Sequence, residues 1–140
     1  YLLINSILKK LLRPPPRQDS NEIPIISELN QAYKTWHGYL NHLPRLTRYT
    51  LGTKIDNLFT DCLELALLAK YATKNQTLPV VQKLSTKFDA LKFFLKLLWE
   101  IKALDNKKYQ ELSAPLRKIG GGIGEWMKSL KKETPANTGE

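Results

Sequence analysis

Residues 81–98 read VQKLSTKFDALKFFLKLL. Apolar side chains fall at Val81, Leu84, Phe88, Leu91, Leu95 and Leu98, at spacings that alternate three and four. On a helix of 3.6 residues per turn this spacing holds one face against a core. A half-buried strand would instead alternate at every second residue.

Working outward, the same pattern recurs three more times. The first stripe is Ile26, Leu29, Tyr33, Trp36, Leu40 and Leu43. The second is Leu51, Ile55, Leu58, Cys62, Leu65 and Ala69, and the last is Tyr109, Leu112, Leu116, Ile119, Ile123, Trp126 and Leu130. One such stripe is ordinary; four in succession predict an all-α fold. The segments between them are short: Pro44 to Tyr49, then Asn75-Gln76-Thr77 with Pro79, then Leu104-Asp105-Asn106. Short links between helices of similar length favour an antiparallel up-down-up-down four-helix bundle. Asp105 and Thr50 are placed to cap the helices that follow them. Pro115 predicts a kink in the last helix, and Gly120-Gly121-Gly122 predict close approach of a neighbouring backbone.

The bundle is expected over residues 25–130. Residues 1–24 form an N-terminal extension: a short amphipathic segment at 1–12, then a linker containing Pro14-Pro15-Pro16. Residues 131–140 are expected to be a frayed tail.

Lysine and arginine number 22 against 13 acids, for a net charge of +9 and a pI near 9.7. A field of that sign attracts polyanions, with nucleic acid first, then an acidic protein surface, then an anionic membrane. On α-helical spacing, Lys83 and Lys87 flank one side of the 81–98 stripe, and Lys92 and Lys96 flank the other. Arg45 and Arg48 lie in the first link, and Lys70 and Lys74 near the second. Arg117, Lys118 and Lys128 load the last helix. Such side chains contact phosphates without reading sequence.

Helix 81–104 also carries more apolar surface than one stripe uses. Phe93, Phe94, Leu97 and Ile101, with Ala90 and Leu104, fall away from the core stripe. Phe59, Leu63 and Leu67, with Ala66, do the same on the second helix. A helix apolar all round is buried all round, so these residues predict a homo-oligomer contact, with cover by residues 1–24 as the alternative.

No catalytic constellation is legible. His37 and His42 stand five apart, off the usual metal-ligand spacing, and Cys62 lies on a core stripe. The glycines of 120–124 lack the lysine-serine/threonine ending of a phosphate loop. The sequence therefore predicts no catalytic residue, metal, cofactor or small-molecule substrate. A single cysteine allows no internal disulfide and fits a reducing, cytoplasmic setting. No apolar run is long enough to span a bilayer, and charge follows rather than precedes the apolar start, unlike a secretory signal. An interfacial membrane role for Tyr1–Leu12 is the weaker alternative.

The segment Leu43–Gly52, LPRLTRYTLG, resembles a signature of one four-helix-bundle family. This family comprises the accessory variability determinant (Avd) proteins of diversity-generating retroelements and the proteins encoded in bacterial ribosomal-RNA intervening sequences. The resemblance continues in KKYQELS at Lys107–Ser113 and in GEWMKS at Gly124–Ser129, and it covers about residues 25–130. It implies a homopentameric, basic, non-catalytic accessory protein that binds a reverse transcriptase and its template RNA to support mutagenic cDNA synthesis. The intervening-sequence branch implies instead a structural or interaction module with no polymerase partner. The matching residues are Arg45, Arg48, Tyr49, Thr50, Leu51, Gly52 and Trp126. All read first as structural, with Thr50 as a cap, Gly52 for close packing and Trp126 in the core; for Arg45 and Arg48, contact with RNA or the polymerase is an equal alternative. The 1–24 extension and Pro115 depart from the family pattern.

Overall fold

The computed structural model describes residues 4–5 and 22–133. Among these residues every regular element is helical. Helix α1 spans Glu22–Tyr39 and runs into a 3₁₀ turn at Leu40–His42. The short helix α2 is Arg45–Tyr49, followed by three long helices: α3 at Leu51–Tyr71, α4 at Lys74–Glu100 and α5 at Asn106–Glu133. The expectations for most of the 1–24 extension, and for residues 134–140, lie outside the described residues. Lys131 and Lys132, expected to fray, continue α5.

Each long helix packs on the next in sequence, and α5 returns onto α1. Two contacts mark each of these packings. Tyr33 meets Phe59 and Trp36 meets Asp56 across α1 and α3. Lys54 lies over Phe94 and Asp61 meets Lys87 across α3 and α4. Phe88 abuts Gly120 and Trp99 stacks on Tyr109 across α4 and α5. Glu28 pairs with Lys118, and Tyr39 with Glu111, across α1 and α5.

All six residues of the α4 stripe are buried, from Val81 to Leu98. On α5 the five central stripe residues, Leu112 to Trp126, are buried, and Tyr109 and Leu130 pack at its ends. Helix α1 departs from the expected stripe. Its buried residues are Ile25, Leu29, Ala32 and Trp36, while Ile26 and Tyr33 flank the core. Trp36 is the cause. Its ring is fully buried and stacks on Phe59 at 6.0 Å. Ala32, one turn earlier, is buried beside it, and Tyr33 sits at the edge of the core, edge-on to Phe59 at 5.8 Å.

The links also depart from expectation. Residues 45–49 form a helical turn rather than a loop. Thr50 does not cap α3: its hydroxyl donates back to the Leu46 carbonyl at 2.9 Å. Gly52 is needed for contact, because a Cβ there would stand 3.2 Å from the Thr47 carbonyl oxygen. Asn75, Gln76 and Thr77 belong to α4, and only Ala72 and Thr73 separate it from α3. Pro79 therefore lies in the second turn of α4, where Asn75 and Pro79 are both exposed and water can satisfy the carbonyl left without its donor.

Asp105 caps α5 as expected, accepting from the Lys108 amide at 2.8 Å. At the end of α4, Lys102 adopts φ 65°. Its amide donates to the Trp99 carbonyl and that of Ala103 to the Leu98 carbonyl. These are the paired bonds that close a helix through a left-handed residue. Helix α5 continues unbroken through Pro115 and the glycines. A Cβ on Gly120 would stand 3.3 Å from the Phe88 ring, and one on Gly122 3.3 Å from Ile25, so these two glycines admit α4 and α1 respectively.

Candidate nucleic-acid interface

The charged residues follow from this packing. A helix that buries one face must present its lysines on its flanks, and each flank borders a groove with a neighbour. The structure therefore divides the basic residues among grooves rather than gathering them in one patch.

In the α3–α4 groove, Lys87 pairs with Asp61 at 3.2 Å, and Lys54 lies 5.7 Å from the centre of the Phe94 ring. Lys83, one turn before Lys87, is exposed. In the α4–α5 groove, Lys92 and Arg117 line one cleft of about 200 Å³ with Leu95, Tyr109, Ser113 and Leu116. In the α5–α1 groove, Lys118 is paired with Glu28 at 2.9 Å. Lys70 lies over the Tyr71 ring near the end of α3, with Lys74 just beyond. Lys74, Lys83, Lys96, Arg117 and Lys128 are exposed and make no ion pair among the described residues. Exposed pairs such as Lys92–Asp89, at 3.6 Å, hold their partners weakly.

Arg45 and Arg48 separate in role. Arg45 is exposed. Arg48 donates from one terminal nitrogen to the carbonyls of Asn41 and Leu43, both at 3.2 Å. It ties the 3₁₀ turn to α2, which accounts for an arginine here without any ligand.

The apolar face expected at an oligomer contact is only partly present. Phe59 does not belong to it: the ring is fully buried between Tyr33 and Trp36, because α3 turns a wide apolar arc toward α1 as well as α4. Leu104 is likewise buried. Phe93 on α4 and Ile101 at its C-terminal cap are 63% and 54% exposed, with Leu97 half-buried between them in sequence. Phe94 packs edge-on against Phe93 at 5.3 Å. Leu63 and Leu67 are half-buried on α3. Because Asp61 meets Lys87 whereas Lys54 meets Phe94, the α3 pair lies toward the opposite end of the groove from Phe93–Ile101. Leu46 and Tyr49 on α2, not expected as exposed apolar residues, are 78% and 65% exposed.

Burial pushes the Cys62 thiol up to about 12; Asp61 adds to the shift and Lys87 opposes it. A thiol held protonated in a core is a poor nucleophile and a poor ligand. Burial, then the hydrogen bond to Glu111 and the charges of Glu111 and Asp105, raise the Tyr39 hydroxyl to about 12. Among the described residues no three His, Cys, Asp or Glu side chains gather as metal ligands, and no helix is long and apolar enough to cross a membrane.

Tyr109 and Ser113 were not singled out in the sequence as groove residues. Their spacing with Arg117, four and four, places them on one side of α5, which is readable; that Lys92 faces them from α4 is not. Comparison with protein-family models, with curated proteins and with solved structures gives no match.

Proposed function

We propose that this chain is a non-catalytic, nucleic-acid-binding accessory protein of the diversity-generating-retroelement type. On this reading it is an antiparallel up-down-up-down four-helix bundle, and the falling-against-rising order of the interhelical contacts supports that arrangement. It assembles as a homo-oligomer, a pentamer by resemblance, through Phe93 and Leu97 of α4 and Ile101 at its C-terminal cap. It binds template RNA electrostatically and presents that RNA to a reverse transcriptase.

One observation carries the reading. The exposed cations Lys74, Lys83, Lys96, Arg117 and Lys128 have no ion-pair partner among the described residues, in a chain of net charge +9. Like charges left unpaired repel one another, and a polyanion relieves that cost. Repetition of the surface around a symmetry axis would multiply a weak contact.

The test is binding of a fluorescently labelled structured RNA, followed by anisotropy at 50 mM and 200 mM salt, alongside light scattering. The expected result is a mass several times that of the chain and an affinity that falls by orders of magnitude between the two salts. A monomeric mass would remove the assembly, and absence of binding at 50 mM salt would remove the function.

A further inference from the structure

We propose that the cleft between α4 and α5 seats one unstacked base of a single-stranded nucleic acid, with the adjoining phosphate held between Lys92 and Arg117. This rests on the nucleic-acid-binding reading above and narrows it from polyanions in general to single strands.

Four clefts among the described residues compete for this role, and charge separates them. The cleft beside α2, about 370 Å³, holds Arg48, but that guanidinium is engaged by the Asn41 and Leu43 carbonyls and Asp56 lines the same cleft. The cleft between α1 and α5 is larger, at about 500 Å³, but its one cation, Lys118, faces two acids, Glu28 at 2.9 Å and Glu125. The cleft after α4 is lined by Glu100 and Asp105 with Lys102 alone against them. The α4–α5 cleft has two cations and no acid in its lining. Arg117 makes no ion pair among the described residues, and the carboxylate paired with Lys92 is that of exposed Asp89, 3.6 Å away.

The rest of the lining suits a base. Leu95 and Leu116 are buried and form an apolar floor. Tyr109 and Ser113 supply hydroxyls that can donate or accept at the edge of a heterocycle. The cleft is about 200 Å³ and opens to solvent. That is room for a single planar ring, whereas a duplex keeps its bases stacked inside. Gly120 contributes by absence: a Cβ there would stand 3.5 Å from the Lys92 ammonium, so the bare backbone lets that side chain lie close against α5. Cation-lined grooves with apolar or aromatic floors are how proteins hold single strands without reading sequence.

The experiment compares a 20-nucleotide poly-U RNA with a 20-base-pair RNA duplex at equal salt. It uses the wild-type chain, Ser113→Leu, which fills the cleft without changing charge, and Arg117→Gln, an exposed change that leaves the core intact. The single strand should bind more tightly than the duplex, and Ser113→Leu should weaken the single strand alone, by about tenfold. Crosslinking of 4-thiouridine-substituted poly-U, mapped by mass spectrometry, should mark peptides containing Tyr109–Arg117 or Lys92–Leu95; it also serves if Ser113→Leu fails to fold. Salt-dependent binding with equal affinity for duplex, or crosslinks only elsewhere, would overturn the cleft and leave the broader reading standing. Absence of binding by either RNA at low salt would overturn both.

Discussion

The indole Nε1–H of Trp36 donates to Oδ1 of Asp56 at 3.1 Å, joining α1 to α3 from inside the packed face. Burial, and then the neighbouring Asp56 carboxylate, raise the pKa of Tyr33. The one carboxylate thus gives the fully buried Trp36 its acceptor. Asp56→Ala should lower the stability by roughly 1–3 kcal/mol, because a buried donor without a partner costs its desolvation. Asp56→Asn, which keeps an acceptor, should cost less. Urea denaturation midpoints check both, and an unchanged midpoint for Asp56→Ala would contradict this role.

Lys102 closes α4 with φ 65°, a conformation that a side chain disfavours by roughly 1 kcal/mol. Its own amide and the Ala103 amide still make their bonds to the helix end. Lys102→Gly should therefore raise the melting temperature by a few degrees, as expected for about 0.5–1 kcal/mol in a domain of this size. Calorimetry at neutral pH measures it.

The glycines of α5 should divide sharply. Nothing lies within 4 Å of a Cβ built on Gly121, so Gly121→Ala should stabilise the helix by about 0.5–1 kcal/mol. Gly120 faces the Phe88 ring, and Gly120→Leu should destabilise by roughly 1–3 kcal/mol through overpacking. Equal effects at the two positions would show that α5 does not approach α4 at Gly120.

These contrasts indicate what the sequence could and could not reveal. The four stripes made the helices legible, and on α4 every core residue was correct, since Leu, Phe and Val at regular spacing leave little choice. On α1 the pattern favoured Tyr33 over Ala32, because hydropathy ranks side chains and does not weigh volume. Ala32 is buried beside Trp36 and Tyr33 sits at the edge of the core, and both are properties of packing. Phe59 was assigned to the outer face for a similar reason: the arc of α3 exceeds one stripe, and only the position of α1 decides which side is covered. The basic residues were legible one by one. Their distribution among three grooves, with Lys87 and Lys118 paired and Lys92 brought beside Arg117, depends on how the helices meet.

Alkaline pH should weaken the fold through Tyr39. Its folded pKa of about 12 exceeds the unfolded value near 10, so the folded state holds the proton more tightly. The contribution is complete below pH 10 and is lost as pH rises toward 12. Tyr39→Phe removes the hydrogen bond to Glu111 and with it this dependence. The stability difference between wild type and Tyr39→Phe should be constant up to about pH 10 and shrink above it.

The proposed nucleic-acid binding rests on cations such as the lysines flanking the α4 stripe, of which Lys83 and Lys96 are unpaired and Lys87 and Lys92 sit in solvent-accessible ion pairs. Its most direct test is the slope of log affinity against log salt for a single-stranded RNA, measured for the wild type and for a chain with Lys83, Lys87, Lys92 and Lys96 all changed to glutamine. The wild-type slope should be steep, and in the variant reduced by about 0.7 for each of those lysines that touches a phosphate, most visibly through Lys83, Lys92 and Lys96. Equal slopes for the two chains, or a wild-type affinity indifferent to salt, would contradict it.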